Sequence, residues 1–143
     1  MKTRTNIKLV PDKKTQTKIK ALLQKHKLPK DDFTSCPHCT IIYSLDIVDI
    51  DKISCDKLVL PIVVKDSHFE LFDTKDDGIV LVIEFQNDDL IKLFKHIKTK
   101  YKLTTKYDDF RPHITIAKNI SKKIILPKIN FDLIFDKIEK DNG

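Results

Sequence analysis

Apolar residues recur along this chain with two periods, and each change of period marks an element. From Asn6 to Val10, Ile7 and Leu9 alternate with polar neighbours as in a half-buried strand, and Pro11 ends it. Behind Asp12, residues Ile19, Leu22, Leu23 and His26 recur at helical spacing, predicting a helix capped by Asp12 and ending near His26. Lys13, Lys18, Lys20 and Lys25 fall on its other faces and read as solvated. Pro29 to Pro37 is a loop leading into the β-branched run Cys39-Thr40-Ile41-Ile42-Tyr43, and Asp46 to Lys57 is a charged connector. Leu58 to Val64 and His68 to Asp73 predict two strands joined by a turn at Lys65-Asp66-Ser67. Asp76-Asp77-Gly78 turns into a strand from Ile79 to Phe85. Asn87 caps a second helix with the stripe Leu90, Ile91, Phe94, Ile97 and Tyr101. Another strand follows at Ile114 to Ala117, two more are expected near Lys123 to Leu126 and Asn130 to Lys137, and Glu139 to Gly143 reads as a frayed tail.

Chemistry concentrates in two of these strands. His38-Cys39-Thr40 and His113-Ile114-Thr115 each put a histidine and a threonine two residues apart, so that in a strand both side chains point to one face. On the same alternation His38, Thr40 and Ile42 are expected to share a face. A hydroxyl can hydrogen-bond an anionic oxygen, and an imidazole can give or take a proton near neutrality. The surroundings repeat as well, at an offset of 75 residues that carries Asp12 onto Asn87, Ile19 onto Phe94 and Leu22 onto Ile97. In each half the helix ends 12 residues before the motif histidine, at His26 and Tyr101. The expectation is one domain over residues 1–143 with an internal pseudo-twofold duplication, its first lobe at about 6–45 and its second at about 79–118.

Composition narrows the classes. With 143 residues, 41% hydrophobic and 34% charged, the chain suits a globular domain with a real core. No apolar run approaches the ~18 residues of a membrane span, and no leader pattern opens the chain, so a cytoplasmic protein is expected. The net charge of +6 favours an anionic partner without naming it. Only Gly78 and Gly143 are glycines, which removes the Gly-rich phosphate loops and leaves phosphate to be held by side chains. Cys36-Pro37-His38-Cys39 has the spacing of a thiol-disulfide centre but runs into a strand where such a centre needs a helix N-terminus. Cys55 and His68 stand at no ligand spacing from it, so the cysteines are read as reduced and structural, and no metal or cofactor is expected.

Two H-x-T strands in a small, duplicated, cysteine-poor chain resemble the 2H phosphoesterase superfamily. Within it, Phe69-Glu70-Leu71-Phe72-Asp73-Thr74 and Tyr107-Asp108-Asp109-Phe110-Arg111-Pro112-His113-Ile114-Thr115 are similar to the phage anti-CBASS phosphodiesterases, which degrade cyclic dinucleotide alarms. The resemblance implies an α+β, LigT-like duplicated fold, with two mostly antiparallel sheets lining a central groove and helices outside. It implies that His38 and His113 act as general acid and base, and that Thr40 and Thr115 bind the nonbridging phosphate oxygens. Substrate contacts are expected from Tyr43, Phe72, Tyr107, Arg111 and Lys118, with Ser44 at the groove's end. At Lys14 the chain departs from these relatives, which place a base-stacking aromatic near this point; a lysine would meet phosphate instead.

The leading expectation is a metal-independent phosphodiesterase that hydrolyses 3′-5′ bonds of cyclic di- or oligonucleotides in the host cytoplasm, with no membrane or stable duplex partner. A 2H enzyme for 2′,3′-cyclic phosphates or 2′,5′-linked RNA ends is the alternative within the superfamily. A protein that sequesters a cyclic nucleotide or RNA is the alternative outside catalysis, although binding alone does not call for two proton-transfer groups. Oligomeric state and base preference are left open.

Overall fold

The computed structural model describes residues 5–30, 37–46, 48–55, 58–105, 110–120 and 124–141. Its elements in chain order are β1 (Thr5–Pro11), α1 (Lys13–Lys25), β2 (Cys39–Ser44), a 3-10 turn (Ile50–Lys52), β3 (Ile62–Val64), β4 (Ser67–Asp73), β5 (Ile79–Phe85), α2 (Asp88–Lys100), β6 (His113–Ala117) and β7 (Leu133–Asp141). Both helices start where the sequence predicts, because the Asp12 and Asn87 carboxylate and amide oxygens accept from the backbone N–H groups of Thr15 and Leu90. His26 and Tyr101 are the C-caps. The α1 start is also stitched to β7. Thr15 Oγ1 accepts from the Ile134 N–H at 3.0 Å, and the Asp12 N–H donates to the Ile134 carbonyl at 2.8 Å.

The strands form one seven-stranded sheet in the order β3-β7-β1-β2-β6-β5-β4, antiparallel at every pairing. The fold is the expected α+β one, but the two expected sheets are the halves of a single sheet. They are joined where β2 meets β6 at one register pair, Cys39 with Ile114. The backbones there are buried between the two halves of the sheet and satisfy each other's hydrogen bonds.

The expected turn at Lys65-Asp66-Ser67 is a two-residue connection, Ser67 already belonging to β4, and it does not make a hairpin: β3 and β4 are the two outermost strands. Three Cα steps from Val64 to Ser67 span at most ~11 Å, whereas seven strands in a flat sheet put its edges ~29 Å apart. The sheet therefore curls until its edges meet. Phe85 of β5 and Phe135 of β7, both buried, touch with ring centroids 5.4 Å apart although three strands separate them in the sheet.

Other boundaries differ from expectation. Only Ile62–Val64 of the Leu58 to Val64 run is strand; Leu58 is buried outside the ladder. Of the strand expected at Lys123 to Leu126, Lys123 lies outside the described residues. Ile124 to Leu126 is irregular, with Ile125 92% exposed. The last strand starts later and runs further, so that Glu139, Lys140 and Asp141 pair with Lys8, Ile7 and Asn6 instead of fraying. Nothing local marks these charged residues as strand; the unpaired side of β1 supplies the reason. The turn at Gly78 is as predicted. Gly78 has φ +66°, and a Cβ there would lie 2.9 Å from Asn119 Oδ1.

The core is the other face of this sheet under the helices. Ile7, Leu9, Cys39, Ile42, Leu81, Ile83, Ile114 and Ala117 are inaccessible, as are Ile19 and Leu23 of α1 and Leu90 and Ile97 of α2. Deleting residues 139–143 removes three ladder positions and is expected to lower the free energy of unfolding by about 1–3 kcal/mol, read by urea denaturation. An unchanged midpoint would mean that the tail frays after all.

Candidate active site

Residues paired across a sheet share a face, so the Cys39 and Ile114 pairing sorts the motif side chains. These two are fully buried, which turns their neighbours His38, Thr40, His113 and Thr115 to the opposite, half-buried face. Continuing that antiparallel register one step each way sets His38 beside Thr115 and Thr40 beside His113. The two H-x-T pairs thus meet head to tail on one surface, each histidine next to the other motif's threonine.

β-Bulges follow both motifs. The register shift between Ile7 and Lys8 leaves Ile41 as an extra residue opposite them, and that between Leu81 and Val82 leaves Ile116 as one. An extra residue resets the alternation. Ile42, expected beside Thr40, is consequently in the core, and Tyr43 takes the place on the histidine face, paired with Asn6. Ser44 is buried, its hydroxyl donating to the Thr104 carbonyl at 3.2 Å, so it is tied into the fold and does not line the groove's end.

The same pairing rule adds residues that the motifs did not reveal. Lys8 lies across from Thr40, Glu84 across from His113, and His68 across from Glu84, while Glu70 and Phe72 pair with Val82 and Val80. The Lys8 ammonium is 3.8 Å from Asp141. Glu84 had a signal in the sequence: a carboxylate inside Ile79-Val80-Leu81-Val82-Ile83-Glu84-Phe85 is buried, and a buried charge requires a partner. That partner is Arg111, whose Nε and Nη2 donate to the two Glu84 oxygens at 2.6 and 3.0 Å. The fork holds the guanidinium charged and commits two of its donors. It also lies over the Phe72 ring, 4.3 Å from centroid. Phe72 in turn meets His113 edge-on, with centroids 5.1 Å apart and planes at 70°.

The His113 Nδ1–H donates to the Arg111 carbonyl at 2.6 Å, which leaves Nε2 as the ring's other functional nitrogen. Burial pushes the His113 pKa below its ordinary value of 6.5. The hydrogen bond to Arg111 and the charge of Glu84 pull it partly back, and the charges of Arg111 and His38 add to the lowering. The two motif histidines therefore sense each other's charge.

The remaining expected contacts are more dispersed. Lys118, just past β6, is exposed with its ammonium 3.9 Å from Asp77. Lys14 is exposed in the first turn of α1. Tyr107 lies outside the described residues, as does Cys36. Cys39 is free, and burial pushes its thiol up to about 12, so it has no thiolate for redox chemistry. Among the described residues, His68, Glu70 and Glu84 each bring one potential ligand atom within 4.8 Å of the others. Both Glu84 oxygens there already accept from Arg111, and His68 Nε2 is 3.3 Å from Oε1.

A curled antiparallel sheet with an H-x-T strand from each half meeting at its centre, each preceded by a helix, is the LigT-like fold of the 2H phosphoesterase superfamily. Escherichia coli LigT crystallised with NADP+ superposes with a TM-score of 0.67 at 12% identity, over 98% of this chain and 87% of that one. TT0787 of Thermus thermophilus gives 0.66 at 10% identity over 96% and 86%. LigT crystallised with 3′-AMP gives 0.60 at 12% identity over 100% and 96%. No curated protein matches the chain by sequence. The chain belongs to the anti-CBASS protein Acb1 family, whose family model matches residues 5–140. No described helix is long and apolar enough to cross a membrane.

Two measurements follow from the site. Cys39 is expected to resist alkylation at pH 8 in the folded protein and to react once urea unfolds it; equal labelling in both states would contradict its burial. Because the His113 pKa is lower folded than unfolded, the unfolded chain binds more protons below pH 6.5, and His113 costs stability as the pH falls from there through its folded pKa. Above that range it costs nothing. His113→Gln is expected to flatten this part of a stability-against-pH curve, and an unchanged slope would place the titration elsewhere.

Proposed function

We propose that this protein is a metal-independent phosphodiesterase that opens cyclic di- or oligonucleotides in the bacterial cytoplasm and so blunts CBASS-type antiviral defence. The observation carrying this reading is the Cys39–Ile114 register, which puts both H-x-T pairs on one face with His38 and His113 in mutual electrostatic reach. Membership of a family described as anti-CBASS supports the substrate class. The pairing of residues 75 apart at the sheet's centre also supports reading the two lobes as a duplication about that pair.

For a ribonucleotide phosphodiester the nucleophile is the adjacent 2′-hydroxyl. His113 takes its proton at Nε2, the role that favours a neutral imidazole, as the 2′-oxygen bonds to phosphorus. The bond from phosphorus to the 5′-oxygen breaks, and protonated His38 delivers a proton to that oxygen. Thr40 and Thr115 hydrogen-bond the nonbridging oxygens as charge develops there. The product carries a 2′,3′-cyclic phosphate, which water can open by the same acid and base in exchanged roles. Phe72 and Tyr43, on the motif face in opposite lobes, offer one aromatic ring to each of two bases.

The test is incubation with a panel of cyclic dinucleotides and a 2′,3′-cyclic mononucleotide in EDTA, with product analysis. Cleavage of a cyclic dinucleotide is expected to survive EDTA and to fall by about 10²–10⁴-fold in His38→Ala and in His113→Ala. The acid limb of kcat/KM is expected below the ordinary histidine pKa. Turnover of the mononucleotide alone would keep a 2H enzyme and sink the anti-CBASS reading. Binding without cleavage would make the protein a sequestering one.

A further inference from the structure

The fork between Arg111 and Glu84 occupies the very arginine that stands next to the second motif, and its geometry bears on His113 more than on a ligand. The Arg111 main-chain carbonyl accepts the Nδ1–H of His113 at 2.6 Å. A carbonyl can only accept, so this contact selects the tautomer with its proton on Nδ1 and leaves the Nε2 lone pair outward. The selection is only as firm as the position of that carbonyl. It belongs to an irregular residue ahead of β6, next to Pro112, which has no N–H to donate.

The Pro112 carbonyl accepts from the Phe85 N–H at 3.1 Å, and the Arg111 peptide ahead of it is held in addition by its own side chain. Arg111 reaches across to β5, where both oxygens of Glu84 receive it, and Glu84 is itself the register partner of His113. Its guanidinium presses on one face of Phe72, and Phe72 sets its ring edge-on to the imidazole. His113 is thus bounded by the Arg111 carbonyl, the Phe72 ring and the Glu84 strand position. Glu84 is nearly inaccessible and compensates the arginine's charge, so a substrate phosphate would meet a neutral pair in place of a free cation.

We propose that Glu84 and Arg111 are positioning residues, a bidentate clamp that holds His113 in its Nδ1–H tautomer with Nε2 aimed at the phosphate. Its consequence for turnover rests on the phosphodiesterase reading above; the tautomer itself does not. Arg111 then acts through its backbone oxygen, and its side chain serves to fix that oxygen.

The test combines ¹H–¹⁵N NMR of the His113 ring, in the intact protein without ligand, with steady-state kinetics on 3′,3′-cyclic GMP–AMP. Wild type is expected to carry its neutral-state proton on Nδ1. Glu84→Gln and Arg111→Ala are expected to move much of it to Nε2 and to lower kcat by about tenfold or more, with KM changed less than about twofold. The double variant is expected to be no worse than either single one, since both remove one clamp. An unmoved tautomer in both variants, or a raised KM at unchanged kcat in Arg111→Ala, would overturn the proposal and return Arg111 to the substrate. Should Glu84→Gln fail to fold, Arg111→Lys, which keeps the charge and loses the fork, gives the same reading. A wild type that turns over no cyclic dinucleotide would sink the phosphodiesterase reading, while the tautomer populations would still decide the clamp.

Discussion

One strand pairing, Cys39 against Ile114, holds the site together. Those two residues are the apolar middles of the motifs, and burying them forces the flanking histidines and threonines to the other face. Because the strands are antiparallel, the same contact that joins the two halves of the sheet sets each imidazole beside the opposite hydroxyl. A slip of one residue would bury the histidines and expose the apolar residues. The hydrophobic core thereby fixes the register of the polar site, and no polar contact is needed to define it.

Around that crossing the structure manages buried charge with care. Glu84 sits in a strand of apolar residues, and its desolvation is offset by the two-pronged contact with Arg111. The guanidinium lies on Phe72, and Phe72 lies against His113, so the buried Glu84 charge is linked through packed groups to a titrating imidazole. Burial lowers the proton affinity of His113, and the neighbouring carboxylate and carbonyl restore part of it. The balance keeps the ring neutral near physiological pH with a defined orientation.

The two bulges show how local irregularity serves the surface. An extra residue directly after each motif threonine sends Ile41 and Ile116 into the interior and resets the alternation. After the first motif this exchanges Ile42 for Tyr43 on the motif face. A motif face that strict alternation would line with an aliphatic side chain gains an aromatic one instead.

Much of this was legible in the residues alone. Hydrophobic period and cap chemistry sufficed for both helices, for β1 and β5, and for the motif strands β2 and β6, because these features are encoded within a few neighbouring positions. Buried Glu84 was legible in principle, as a carboxylate in an apolar run, but its partner 27 residues on was not. Arg111 read as a substrate contact, and nothing near it in the chain pointed to Glu84. The bulges, the union of two expected sheets into one, the separation of β3 and β4 to opposite edges and the pairing of the charged end of β7 were decided by tertiary structure. Each depends on which backbone is left unpaired after distant strands have met, and that is settled by satisfying buried hydrogen bonds across the whole sheet, a constraint no local stretch of sequence carries.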